Sequence, residues 1–134
     1  MAEKLTLEIV TPERQVLVEK VDEVILPSVD GYMGVLPGHA PLLAQLGTGG
    51  VSYRVGNDRH YLAVSGGFAE VLRESVSILA TTAERAEEID VERAQKSKQR
   101  AETGLKLDAP PDEFRRAEAR LKRAMARIDA SGHK

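Results

Sequence analysis

Val76-Ser77-Ile78-Leu79-Ala80-Thr81-Thr82-Ala83-Glu84-Arg85-Ala86-Glu87-Glu88-Ile89-Asp90-Val91-Glu92-Arg93-Ala94 changes its grammar halfway along. Val76, Ile78 and Ala80 recur with a period of two, the spacing that lines one face of a β-strand. From about Thr82 onward Ala, Glu and Arg take over, and these are strong helix formers. The chain divides here: strands before, helices after.

Toward the N-terminus the period of two continues. Leu5, Leu7 and Ile9 form one face, with Thr6, Glu8 and Val10 on the other. Val16/Val18, Val24/Leu26, Val51/Tyr53/Val55 and Leu62/Val64 repeat the pattern. Turn-forming clusters separate the runs: Thr11-Pro12-Glu13, Pro27 to Gly31, Gly47 to Gly50, Gly56-Asn57-Asp58 and Ser65-Gly66-Gly67. Many short strands at this spacing predict an all-β sandwich or barrel. One apolar face per strand requires a covering layer.

Toward the C-terminus two helices are expected, Asp90 to Gly104 and Asp112 to about Ala130. Gly104 is a stop signal, Pro110-Pro111 a turn, and Asp112 an expected N-cap. A connection this short makes the helices antiparallel neighbours. Their apolar faces are thin: Val91, Ala94, Ala101 and Leu105, interrupted by Lys98, against Phe114, Ala117, Leu121, Ala124, Met125 and Ile128. A fully buried large side chain contributes roughly 1.5–3 kcal/mol and Ala much less. Ordering each residue costs about 1–2 kcal/mol. The hairpin is therefore expected to need the β domain, a ligand or a partner to hold one conformation.

Composition narrows the function classes. A net charge of −2 over 134 residues argues against a nucleic-acid-binding domain, which carries a basic footprint. With no cysteine there is neither disulfide framework nor thiolate metal site. Met1 to Leu5 lacks a basic segment followed by an apolar one, so no secretory signal is expected. Apolar runs are only a few residues long, too short to span a bilayer, so membrane association is expected only through a partner. His39, His60 and His133 form no metal-binding pair, and neither a nucleophile elbow nor a phosphate loop is present. Nothing in the pattern points to an enzyme.

Charge also divides the chain. Residues 1–83 hold six basic and ten acidic side chains, residues 84–134 thirteen basic and eleven acidic. Arg116, Arg120, Arg123 and Arg127 share one helix face by their spacing of four, three and four. Such a stripe is either a solvated face or a surface for phosphate or carboxylate groups, which the planar guanidinium fork fits.

One segment goes further. Gly31-Tyr32-Met33-Gly34-Val35-Leu36-Pro37-Gly38-His39-Ala40-Pro41-Leu42-Leu43 resembles the most distinctive stretch of the ATP synthase epsilon family. Tyr61 to Val71, Val76 to Ala83 and Ile89 to Ala94 resemble later family segments in the same order. Four collinear matches cover essentially the whole chain. The resemblance implies a two-sheet β-sandwich of about ten strands over residues 1–86. An antiparallel α-helical hairpin over residues 87–134 follows.

It implies a non-catalytic rotor-stalk subunit that couples proton flow to ATP synthesis and regulates ATP hydrolysis through the mobile hairpin. The implied partners are the gamma subunit, the c-subunit ring and the catalytic alpha/beta hexamer, at the cytoplasmic face of the bacterial membrane. No cofactor is required. The segment Pro37, Gly38, His39, Ala40, Pro41 matches the family's gamma-facing loop, and Asp30, Gly31, Tyr32 the ring-facing loop. The family often carries an acid where Tyr32 stands; here Asp30 is the nearest.

Some bacterial members bind regulatory ATP in the folded hairpin. The matching residues here are Ile89, Asp90, Arg93 and Ala94, with Glu84 upstream and Arg116, Arg123 and Arg127 on the second helix. The plainer reading makes Asp90 an N-cap and the second helix a solvated face. The alternative function is a free-standing ATP-sensing protein, which shares the arginines but leaves the 37–41 loop unexplained.

Overall fold

The computed structural model describes residues 3–104 and 110–132. Eight strands come first: β1 (Leu5–Val10), β2 (Gln15–Val21), β3 (Glu23–Ser28), β4 (Gly31–Val35), β5 (Leu42–Gln45), β6 (Thr48–Val55), β7 (Asp58–Val71) and β8 (Ser75–Arg85). A 3-10 turn at Ala86–Glu88 leads into α1 (Val91–Gly104), and α2 (Pro111–Ser131) completes the hairpin.

The expected ten strand segments are present as eight continuous strands, because β7 and β8 each serve both layers. The C-terminal part of β7 pairs with β5, and the N-terminal part of β8 pairs in parallel with β1, which also pairs with β2. That is layer A, in the order β2-β1-β8-β7-β5. The N-terminal part of β7 pairs with β6, which pairs with β3, which pairs with β4. With the end of β8 this is layer B. The β7–β8 register runs without a shift from Leu62↔Arg85 to Val71↔Val76, with the pairing interrupted at Gly66. The pair therefore turns the corner together at Gly66 and Gly67, whose φ values are 68° and 104°. Only glycine holds such angles cheaply.

One core lies between the layers. Leu5, Leu7, Ile9, Val24, Leu26, Val51, Leu62, Val64, Val76 and Ile78 all join it. The face assignments from periodicity hold at these positions. Val18 is a correction: it is exposed, and Leu17 is buried beside Val16. A bulge explains it. The β1–β2 register shifts between Ile9 and Val10, so Val16 is an extra residue and two neighbours turn inward together.

The helices also differ in detail from expectation. Asp112 is not the cap of α2; Pro110 is the N-cap residue and Pro111 stands at the first helical position. Proline suits that position because its missing N–H would be unpaired there anyway. Met125 is exposed rather than packed, and the buried positions of α2 are Ala117, Ala124 and Ala130. Leu105 lies outside the described residues. α2 packs on β6 and β7 of layer B, with α1 packed on α2. The seam is small-sided: Ala63, Ile89 and Ala130, flanked by Tyr61 and Ala126. The outer face of layer B is thus covered, and that of layer A is open.

Candidate functional site

Two regions carry the residues singled out by sequence. The first is where the hairpin meets the β domain. Asp90 ends the joint and caps α1: the Arg93 backbone N–H donates to Asp90 Oδ1 at 3.0 Å. A carboxylate there meets the positive end of the helix. The joint is pinned from the β side. Arg85 donates to the Val16 carbonyl at 2.5 Å, and Arg14 donates to Glu88 at 2.8 Å. From α2, Arg127 Nε donates to Glu84 Oε1 at 2.6 Å, tying the second helix to β8.

A cleft of about 890 Å³ opens beside this joint. Glu84, Asp90, Arg93, Ala94 and Arg127 line it, so the fold brings five of the eight candidate nucleotide-site residues together. Arg123 lines a narrow crevice next to it that shares Glu84 and Arg127. Ile89 is placed differently: its side chain is buried in the seam with Ala63 and Ala130. Arg116 does not join. It is exposed, and eleven residues from Arg127 amount to about 16 Å of helix.

Arg100 and Lys96 also line the cleft and were missed by sequence reading. The signal for Arg100 was available: it follows Arg93 by seven residues, two turns along one helix face. The cleft is mixed in charge, with Glu13, Glu84, Glu88, Asp90 and Glu92 opposing Arg93, Lys96, Arg100 and Arg127. An anion entering it meets Arg127 already paired with Glu84.

The second region is the pair of loops flanking β4. They sit at opposite ends of that strand, about 17 Å apart at the usual rise per residue. Asp30, Gly31 and Tyr32 are therefore not brought together with Pro37 to Pro41. At one end, Ser28 Oγ donates to the Gly31 carbonyl at 2.6 Å and accepts from the Asp30 N–H at 3.3 Å. Val29, Asp30 and Gly31 form an exposed tip. At the other end, Gly38, with φ 89°, donates its N–H to the Arg73 carbonyl at 2.8 Å. The His39 N–H donates to the Leu36 carbonyl at 3.2 Å, and its Nδ1 lies 2.7 Å from the Ala40 carbonyl. Pro37 and Pro41 bracket a loop thus tied to the β7–β8 turn.

β5 begins just after Pro41 and leads onto the open face of layer A. Leu43, Phe68 and Leu79 stand there 68, 51 and 57 % exposed. Phe68 pairs across strands with both Gln45 and Leu79, and Val10 lies opposite Leu79 in turn. A contiguous apolar patch on a sheet face marks an interaction surface. Sequence reading missed it, although Leu79 between Ile78 and Ala80 was the sign: an apolar residue in the outward register. Among the described residues, no cluster of three metal-ligating side chains occurs, and no helix is long and apolar enough to cross a membrane.

Comparison with known proteins gives matching answers for both halves. The ATP synthase delta/epsilon chain β-sandwich domain family matches residues 4–86, and the long α-helix domain of the same chain matches residues 87–132. The ATP synthase epsilon chain of Syntrophobacter fumaroxidans is 51 % identical over 128 residues, 96 % of each chain. Epsilon chain 1 of Syntrophotalea carbinolica is 49 % identical over 133 residues, covering 98 % of this chain and 96 % of that one. Among solved structures, a chain of the Euglena gracilis mitochondrial ATP synthase, described as OSCP/F1/c-ring, superposes with a TM-score of 0.84 at 26 % identity. That match covers 97 % of this chain and 82 % of the other. A chain of the Tetrahymena thermophila central stalk and c-ring shares the fold, with a TM-score of 0.64 at 14 % identity over 96 % and 97 % of the two chains.

Proposed function

The chain belongs to the ATP synthase delta/epsilon family, and we propose that it is the epsilon subunit of a bacterial F-type ATP synthase. It is a non-catalytic part of the central stalk, peripheral to the membrane, and it links proton translocation to ATP synthesis. Its partners are the gamma subunit, the c-subunit ring and the catalytic alpha/beta hexamer. The observation that carries this reading is whole-chain similarity to named epsilon chains, with sandwich and hairpin both matched in order.

Residues 1–86 are the docking unit and residues 87–134 the regulatory one. The gamma subunit takes the open apolar face of layer A and the adjoining loop from Pro37 to Pro41. A permanent stalk partner suits a permanently exposed Leu43, Phe68 and Leu79. That face also speaks against a free-standing ATP sensor, which has no use for it. The tip at Asp30, Gly31 and Tyr32, at the far end of β4, faces the ring.

The hairpin cleft takes regulatory ATP. Arg93, Arg100 and Arg127 serve the phosphates through charge-assisted hydrogen bonds, with Arg123 alongside. ATP is a ligand here and not a required cofactor. Glu84 holds Arg127 in the folded hairpin, so binding exchanges one carboxylate partner for a phosphate. Arg116 belongs to the exposed part of the stripe and is assigned to protein contacts.

Reconstitution with its own gamma subunit tests the assignment: a stable 1:1 complex is expected, and Phe68→Asp weakens it. No complex with wild-type protein overturns the stalk reading. Deleting residues 88–134 is expected to raise ATP hydrolysis by the assembled enzyme, and unchanged hydrolysis rejects a regulatory tail.

A further inference from the structure

The tip between β3 and β4 is held from a direction that the sequence comparison does not suggest. Tyr32 lies in β4 opposite Pro27. Its side chain, 65 % exposed, reaches across to β6, where its hydroxyl accepts the Gly50 N–H at 3.2 Å. The reach is needed because β3 and β6 part company. Their pairing ends at Ile25↔Ser52, and the end of β3 bonds elsewhere, with the Gly47 N–H donating to the Pro27 carbonyl. Gly50 is left facing a gap at that edge, and the tyrosine hydroxyl fills it. Gly49 makes the space. A methyl group there would come 2.6 Å from the Tyr32 hydroxyl and 3.0 Å from Pro27 Cβ. The φ angle of Gly49 is ordinary, so its missing side chain is explained by the clasp and not by a turn.

We propose that Tyr32 is the positioning residue of the ring-facing tip: clasped over Gly49 and Gly50, it presents Val29 and Asp30 as a preorganised acidic and apolar contact. The proposal rests on the reading of this tip given above. Two further ties act with it: the Ser28 hydroxyl bonds, and the Val29 N–H donating to the Gln45 carbonyl at 2.9 Å. These hold the base of the tip, and Tyr32 holds its β4 side. The side chain thus acts on the partner through the tip's geometry, with Asp30 supplying the charge for a cationic group on the partner. Preorganisation raises affinity by removing the ordering cost from the binding step.

The test uses full-length chains assembled into the enzyme's soluble sector, titrated onto membranes stripped of that sector. In parallel, the isolated labelled chain reports exchange of the Gly50 amide and the urea midpoint. Tyr32→Ala is expected to speed Gly50 exchange at least tenfold and to weaken membrane-ring binding about tenfold, which is about 1.4 kcal/mol. Tyr32→Phe speeds Gly50 exchange but keeps the ring over Gly49, so binding recovers to within about threefold of wild type. Gly49→Ala, whose methyl meets the Tyr32 hydroxyl more closely than Pro27 Cβ, displaces the ring, reproduces the Tyr32→Ala binding loss and serves if Tyr32→Ala does not fold. Asp30→Asn weakens binding at least as much. If Asp30→Asn weakens binding while Tyr32→Ala and Gly49→Ala do not, positioning by Tyr32 is overturned and the ring-facing reading stands. If the urea midpoint falls and ring binding is unchanged, Tyr32 is structural only. If none of the variants changes ring binding, the ring-facing assignment of the tip fails and this inference with it.

Discussion

Replacing Glu84 by Gln removes the carboxylate that holds Arg127 and leaves a side chain of the same shape. The two groups meet at 2.6 Å, with side chains 34 and 30 % exposed. A pair that open to water contributes about 0.5–1 kcal/mol, since solvent screens it and two side chains must be ordered. A nucleotide phosphate that takes Arg127 must first break this pair. Glu84→Gln removes that cost, so ATP is expected to bind about 2- to 5-fold more tightly. Arg127→Ala removes a charge-assisted bond worth about 1.5–3 kcal/mol together with the pair that had to be broken first, so the net loss of about 0.5–2.5 kcal/mol weakens binding about 2- to 70-fold. Isothermal titration of the isolated chain with ATP reads both. Raising salt shrinks the Glu84→Gln gain, because the Debye length falls from about 10 Å at 0.1 M toward 3 Å at 1 M. Weaker binding by Glu84→Gln would show that Glu84 contacts the nucleotide directly. No change in either variant refutes the cleft as the phosphate site.

Three other outcomes follow from particular contacts. Arg123→Ala should weaken ATP binding more than Arg120→Ala, because Arg123 lines the crevice beside the Glu84–Arg127 pair and Arg120 is exposed; equal effects in titration would mean generic attraction. Gly67→Ala should lower the stability of the sandwich by about 3 kcal/mol or more in urea unfolding, since a methyl would collide with the Leu79 carbonyl and sit 2.9 Å from Ala80 Cα at a φ of 104°. Burial, with Glu19 beside it, pushes the Tyr53 phenol up to about 12. The unfolded chain therefore loses this proton first, and stability falls as pH rises from about 10 to 12. Two units set a ceiling of about 2.7 kcal/mol, which screening lowers to about 1–2. Tyr53→Phe should remove that slope from a pH series of unfolding curves.

The fold was legible wherever one physical rule acted alone. Strict alternation in Leu5, Leu7 and Ile9 named a buried face, and burial confirms it. It failed at Val18, where a bulge inserts one residue and the period loses its phase. The sharing of β7 and β8 between layers was hidden because Ser65-Gly66-Gly67 reads as a turn. A glycine pair signals positive φ, and both a turn and a bent strand use it. The site was legible as residue types but not as a meeting. Glu84 and Arg127 are far apart in sequence, and their pairing depends on how α2 lies on β7. Asp90 could be assigned either to a nucleotide or to a cap, and the cap is what the Arg93 N–H makes of it. The Tyr32 clasp had no signal in spacing, since it links β4 to β6, two strands that β3 separates.

The unequal packing of the two halves decides how the tail can act. Among the described residues, the twelve largest fully buried side chains are all Leu, Ile or Val between residues 5 and 78, and none lies in the hairpin. The hairpin is closed by alanines: Ala94 and Ala101 on α1, Ala117 and Ala124 on α2, each pair seven residues apart. A buried methyl contributes about 0.8 kcal/mol, against about 1.5–3 for a large aliphatic side chain. The seam to layer B adds Ile89 and Ala130 against Ala63, with the half-exposed pair of Glu84 and Arg127 at its edge. The sandwich core thus draws no large side chain from the described part of the tail, and the described contacts that hold the tail are small ones. Hydrogen exchange on the isolated chain should show this grading, with α1 and α2 amides exchanging well before those of β1 and β7. ATP should slow the helix amides selectively. A single exchange rate for helices and strands, unmoved by ATP, would mean that the chain opens as one unit and that the tail cannot switch on its own.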